Sequence, residues 1–114
     1  MLLVDDEPQV RALLRHALTR TGGLSVVGEA SDGAEALAMA PGLAPDLVVL
    51  DLNMAGMGGE EALPLLRELL PGAKIAVVSG DQPSPEVAAA ADLCLKKGGS
   101  FKELAANLVR LVRP

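Results

Sequence analysis

Apolar positions follow two rhythms along this chain. Short unbroken runs (Met1 to Val4, Leu47 to Leu50, Ile75 to Val78) alternate with longer stretches whose apolar residues recur every three or four positions. An unbroken apolar run of four or five residues fits a strand buried on both faces, and the three-to-four spacing fits a helix with one face inward. The first strand is Met1 to Val4. Pro8 suits the first turn of a helix, and Val10, Leu13, Leu14, Ala17 and Leu18 form its apolar stripe. Gly22-Gly23 ends that helix. Leu24 to Ala30 reads as the second strand. Ser31-Asp32-Gly33 caps a second helix, with Glu35 in its first turn and Ala34, Leu37 and Ala38 inward. Pro41 and Pro45 bracket a loop, and Leu47 to Asp51 is the third strand.

A third helix runs from about Glu60 to Leu70. Its Pro64 requires either a late start or a kink. Ala73 to Ser79 is the fourth strand. Ser84-Pro85-Glu86 opens a short helix through Ala88 to Ala91. Leu93-Cys94-Leu95 is a brief fifth strand running into Lys96-Lys97. Ser100 caps a last helix that turns Phe101, Leu104, Ala105, Leu108, Leu111 and Val112 inward, with Glu103 completing a capping box. Strand and helix alternate five times. The expected fold class is α/β: a five-stranded parallel sheet with helices on both faces and right-handed crossovers. No repeat or linker interrupts the chain, so residues 1–114 read as a single domain.

The chemistry gathers where these strands end. Asp51 closes the third strand and Asp5-Asp6-Glu7 follows the first. Ligands of open α/β sheets bind beyond the carboxyl ends of the strands. If the two strands are neighbours, their carboxylates converge, which is costly unless a cation sits among them. Hard oxygen ligands of this kind suit Mg2+.

Composition narrows the field. Half of the 114 residues are hydrophobic, yet Phe101 is the one aromatic residue, so Leu, Val, Ala and Ile must build the core. The net charge of −5 argues against binding nucleic acid or anionic lipid. The one cysteine, Cys94, allows no internal disulfide and fits a reducing compartment. No apolar run approaches the roughly 18 residues of a membrane span, and no signal-type start is present. A cytoplasmic location is expected.

With these motifs in place the chain resembles the receiver domains of two-component response regulators, the CheY-like superfamily. The residues that carry the likeness are Val4-Asp5-Asp6-Glu7, Val48 to Met54, Val77-Val78-Ser79 and Leu95-Lys96-Lys97. Gly28 to Gly33 further resembles receivers of the NarL type. The resemblance implies a flavodoxin-like three-layer sandwich with strand order 2-1-3-4-5. It implies that Asp51 accepts a phosphoryl group from a histidine kinase or phosphotransfer protein. Asp6, Asp51 and the Asn53 carbonyl would ligate Mg2+, with Asp5 acting through water. Ser79 matches the switch hydroxyl and Lys97 the phosphate-binding lysine, with Lys96 as the alternative. It further implies an output partner or a C-terminal effector domain, and homodimerisation as one mode of assembly. On this reading the domain is no conventional enzyme.

The sequence departs from that family in five places. Ala55 replaces a customary proline, Cys94 a customary aromatic residue, and Gly98 the proline that many members carry after the lysine; a trans bond is expected there. The stretch from Ser79 to Lys97 is short, so the fourth helix is expected to be stunted, and the first strand starts late. Two other functions compete. One is a receiver that serves as a protein-interaction scaffold without phosphorylation, which Ala55, Cys94 and the short fourth helix favour. The other is a small-ligand binder on the same sheet, which Asp5-Asp6-Glu7 opposes by repelling phosphate. Asp5-Asp6-Glu7 could also simply cap the first helix. Cys94 is expected to be a small buried hydrophobe, His16 to face solvent, and Met54 and Met57 to pack or lie in a loop.

Overall fold

The computed structural model describes residues 1–22, 24–54, 56–80 and 82–112. Strands and helices alternate throughout: β1 (Leu2–Val4), α1 (Pro8–Gly22), β2 (Gly28–Ala30), α2 (Gly33–Leu43), β3 (Leu47–Asp51), α3 (Gly59–Leu69), β4 (Lys74–Ser79), α4 (Pro85–Ala90), β5 (Leu93–Lys96) and α5 (Phe101–Val112). All strand pairs are parallel, and the sheet order is β2-β1-β3-β4-β5.

Because side chains alternate across a strand, each strand feeds two cores. Leu2, Val4, Val48, Leu50, Ile75 and Val77 point toward α2, α3 and α4, where they meet Ala36, Ala40, Leu63, Leu66 and Val87. Their neighbours Leu3, Leu47, Val49, Ala76 and Val78 point the other way and pack with Leu14 and Leu18 of α1 and Ala105 and Leu108 of α5. Burying one such leucine contributes about 1.5–3 kcal/mol. The unbroken apolar runs are therefore central strands with a helical layer on either side.

Several local expectations are corrected. β2 is three residues long rather than spanning Leu24 to Ala30; Leu24 and Val26 still pack on the α1 and α5 side, but outside the ladder. α2 continues through Pro41 to Leu43 and ends at Ala44, whose φ of 45° is left-handed. Its inward residues are Gly33, Ala36 and Ala40, while Ala34 and Ala38 are exposed and Leu37 is half-buried. An alanine-rich helix is apolar on several sides, so its pattern cannot choose one. Leu13 faces solvent, although it belongs to the apolar stripe of α1. α3 starts at Gly59 and carries Pro64 in its interior. Without an N–H there, the carbonyl of exposed Glu60 loses its usual helical donor. α4 is only six residues long, as expected; Ser84 Oγ caps it by accepting from Val87 N–H at 3.2 Å. Cys94 is exposed, not buried. It lies on the α4 side of an edge strand, and α4 is too short to cover it.

Candidate functional site

Register brings the charged residues together. Val4 pairs with Leu50, so Asp5 follows beside Asp51 at the carboxyl end of the sheet. Asp51 pairs with Val78, so Ser79 stands one residue beyond it. Ser79 in turn pairs with Lys96, and the next residue, Lys97, donates its N–H to the Ser79 carbonyl at 2.9 Å. Alternation then sorts the side chains. Leu3, Val49 and Leu95 face the α1 and α5 layer. Asp5, Asp51 and Lys97, each two residues further on, share that side. Ser79 and Lys96 fall on the other.

Asp5 and Asp51 are buried and Asp6 is half-buried. One carboxylate oxygen from each lies within 4.8 Å of the others. Asp51 Oδ1 accepts the Asn53 N–H at 3.0 Å. Asp51 Oδ2 is buried and takes no hydrogen bond of ordinary geometry among the described residues. The Lys97 ammonium meets it instead as an ion pair at 2.8 Å, and lies 3.9 Å from Asp5 Oδ2. Asp5 Oδ1 accepts the Glu7 N–H at 2.9 Å, and Asp5 N–H donates to the Ala30 carbonyl at 3.0 Å. Three carboxylates in one pocket form an all-oxygen donor set that a hard divalent cation fits.

Burial pushes the Asp5 carboxyl above the usual carboxylate range; the Glu7 hydrogen bond opposes this and the Asp51 charge adds to it. Burial pulls the Lys97 ammonium down, but its close pairing with Asp51 and the charges of Asp51 and Asp5 outweigh that and hold it above the usual lysine value. Lys97 is thus firmly cationic where the carboxylates crowd.

Two glycines shape this end of the sheet. A Cβ on Gly59 would stand 2.5 Å from the Asp51 carbonyl oxygen, so the start of α3 can approach β3 only as glycine. Gly98 has φ of 96° and sits in the turn after Lys97. Proline is locked near −65°, so the loop into α5 takes a path closed to proline. No cis peptide bond occurs among the described residues. Ser100 Oγ caps α5 by accepting from Lys102 and Glu103 N–H at 3.1 and 3.4 Å.

The structure therefore brings Asp5, Asp6, Asp51 and Lys97 into one cluster. Asn53 is exposed in the loop after β3 and contributes its N–H to Asp51. Ser79 is buried at the end of β4 and lines a separate hollow with Gln82, Cys94 and Lys96. Ala55 lies outside the described residues. A cavity of about 380 Å³ adjoins the cluster between α1 and α5, lined by Asp5, Leu14, Asp51, Lys97, Phe101 and Leu104. Sequence reasoning missed Arg11, whose guanidinium donates to the Asp5 main-chain carbonyl. No spacing or motif signals such a contact.

Comparison with known proteins identifies the family. The family described as response regulator receiver domain matches residues 1–108. The chain belongs to that family. Among curated relatives it is 40% identical over 98 residues to the nitrate/nitrite response regulator NarL of Escherichia coli, covering 86% of this chain and 44% of that protein. It is 37% identical over 109 residues to the transcriptional regulatory protein LiaR of Bacillus subtilis, covering 92% and 52%. This receiver thus spans about half the length of these two relatives. Among solved structures, the response regulator TrrA of Thermotoga maritima, in complex with Mg2+ and BeF, superposes with a TM-score of 0.85 at 34% identity, with 96% of each chain covered. The receiver fold, with strand order 2-1-3-4-5, is the one expected from the sequence. Among the described residues no helix is long and apolar enough to cross a membrane.

Proposed function

We propose that this receiver is a phosphorylatable signalling switch with Asp51 as its phosphoacceptor. The observation that carries the reading is the buried Asp51 carboxylate, flanked by Asp5 and Asp6 and paired with Lys97 at 2.8 Å. A carboxylate oxygen of Asp51 attacks phosphorus, forming an aspartyl phosphate. The bond from phosphorus to the donor histidine of a sensor kinase or phosphotransfer protein breaks, and the imidazole leaves with the bonding pair. Asp6, Asp51 and the Asn53 carbonyl would hold Mg2+, with Asp5 acting through water; once bound, the ion would supply positive charge against the phosphoryl oxygens and carboxylates. Lys97 supplies a point charge to a phosphoryl oxygen. Ser79, which lies on the other face of the sheet in this structure, would turn its hydroxyl to another phosphoryl oxygen and draw the end of β4 inward, converting local chemistry into a change of surface.

The one-domain reading of residues 1–114, a cytoplasmic location and an output module of the NarL kind belong to the same proposal. A second reading, a scaffold that works without phosphorylation, is favoured by exposed Cys94 and six-residue α4. No aromatic side chain stands there to report the state of Ser79.

Intact mass after incubation with Mg2+ and acetyl phosphate separates the two. One phosphoryl adduct on the wild type, absent from Asp51→Asn and from chelated samples, supports the switch. No adduct with acetyl phosphate, phosphoramidate or a panel of kinases, while Mg2+ still binds, favours the scaffold.

A further inference from the structure

The loop that carries Asp5 and Asp6 is held from a direction that the phosphoryl chemistry does not explain. Arg11, on the second turn of α1, is only 16% exposed along its side chain. Its Nη1 donates to the Asp5 main-chain carbonyl. Its Nε lies 3.1 Å from Glu29 Oε1 on β2. Glu29 Oε2 pairs in turn with Arg15, one turn further along α1.

Two physical consequences follow. The Asp5 carbonyl belongs to the same planar peptide unit as the Asp6 N–H. Asp5 N–H ties the preceding Val4–Asp5 peptide to Ala30, and Arg11 holds the carbonyl of the Asp5–Asp6 peptide, so the planes on both sides of the Asp5 Cα are fixed. Those planes set where the Asp6 carboxylate emerges. Second, Glu29 is shared by two guanidiniums. The group of Arg11, Arg15 and Glu29 therefore keeps one net positive charge behind three crowded carboxylates. A lysine at position 11 could place a charge there, but its compact ammonium lacks the planar fork that serves Glu29 and a carbonyl together.

We infer that Arg11, itself oriented by Glu29, is a positioning residue for the Asp5 and Asp6 carboxylates and sets the cation affinity of the cluster. This rests on the proposed function only in assigning Mg2+ as the cation. Outer partners that orient metal ligands typically change affinity by 10- to 100-fold when removed.

The test is a calorimetric Mg2+ titration of the chain and its Arg11→Met, Arg11→Lys, Glu29→Gln and Arg15→Met variants, each with a urea unfolding curve. Arg11→Met is expected to raise the Mg2+ Kd by roughly 10-fold, the low end for such partners. Arg11→Lys and Glu29→Gln should raise it less, and Arg15→Met, which spares the Asp5 contact and removes only a positive charge, should not raise it. A merely structural role would lower the urea midpoint and leave Kd as in the wild type; that result overturns the inference. If Arg11→Met does not fold, Arg11→Lys and Glu29→Gln decide by the same criterion. A wild type that binds Mg2+ but takes no phosphoryl group would sink the proposed switch and leave the positioning role standing. A wild type without Mg2+ affinity would sink both.

Discussion

Lys97 Nζ lies 2.8 Å from Asp51 Oδ2, while the neighbouring Lys96 falls on the opposite face of the sheet. Adjacent lysines at a strand end are thus separated by alternation alone. Lys97→Ala should slow phosphorylation by acetyl phosphate on the order of 100-fold, as for loss of a preorganised charge-stabilising group. Lys96→Ala should leave the rate near wild type. Adduct mass against time reads both.

Mg2+ should stabilise the fold through the acidic cluster. At a concentration about 100 times Kd, linkage gives about 2.7 kcal/mol. A thermal melt of the wild type should therefore shift upward with Mg2+, and one of Asp6→Ala should not. An equal shift in both would remove Asp6 from the cation's ligands.

Gly98 holds a φ of 96°. Gly98→Ala should cost about 1–2 kcal/mol, the penalty of a side chain in left-handed backbone. Gly98→Pro should cost more, since the ring cannot reach that φ. Urea denaturation measures both, and a neutral Gly98→Pro would show that the loop has a second route into α5.

Far from the cluster, Arg67 joins four segments. Its guanidinium donates to the carbonyls of Ala73 and Ala90 at 2.8 and 3.0 Å and to Asp92 Oδ2 at 2.7 Å, and Asp92 also accepts the Ile75 N–H at 2.7 Å. Burial works to raise the Asp92 carboxyl, but Arg67 and the Ile75 N–H outweigh it and hold it below the usual value. An acid with a depressed folded value adds stability above its unfolded value, near 3.8, and loses it as pH falls through the folded one. Asp92→Asn should therefore flatten the acid limb of stability against pH and change little of its slope above pH 6. Arg67→Met, which leaves two carbonyls unmet, should cost about 2 kcal/mol at neutral pH.

The central sheet was legible because β3 and β4 are unbroken apolar runs that no amphipathic helix could imitate. The acidic cluster was legible because Asp5, Asp6 and Asp51 end strands that sit side by side. Other features depend on packing that no pattern encodes. Cys94 sits in an apolar run, yet its exposure is decided by the length of a helix that it does not belong to. Alternation on β5 settled Lys97 over Lys96 as the neighbour of Asp51 only once the facing of Leu95 was known. Arg11 was invisible because its partner is a backbone carbonyl, and every residue has one of those.

The division into two cores has a consequence for the order in which the protein can be made. Helices α2 and α3, which cover one face, leave the ribosome before β4. The opposite face joins Leu14 and Leu18 of α1 to Ala105 and Leu108 of α5, the first and last helices of the chain. At about 5–20 residues per second, α1 waits roughly 5–20 seconds for its partner. Through that interval half of the hydrophobic interior is open to water. A nascent chain arrested before Phe101 should be a ready client for chaperones, with its exposed surface confined to the α1 side.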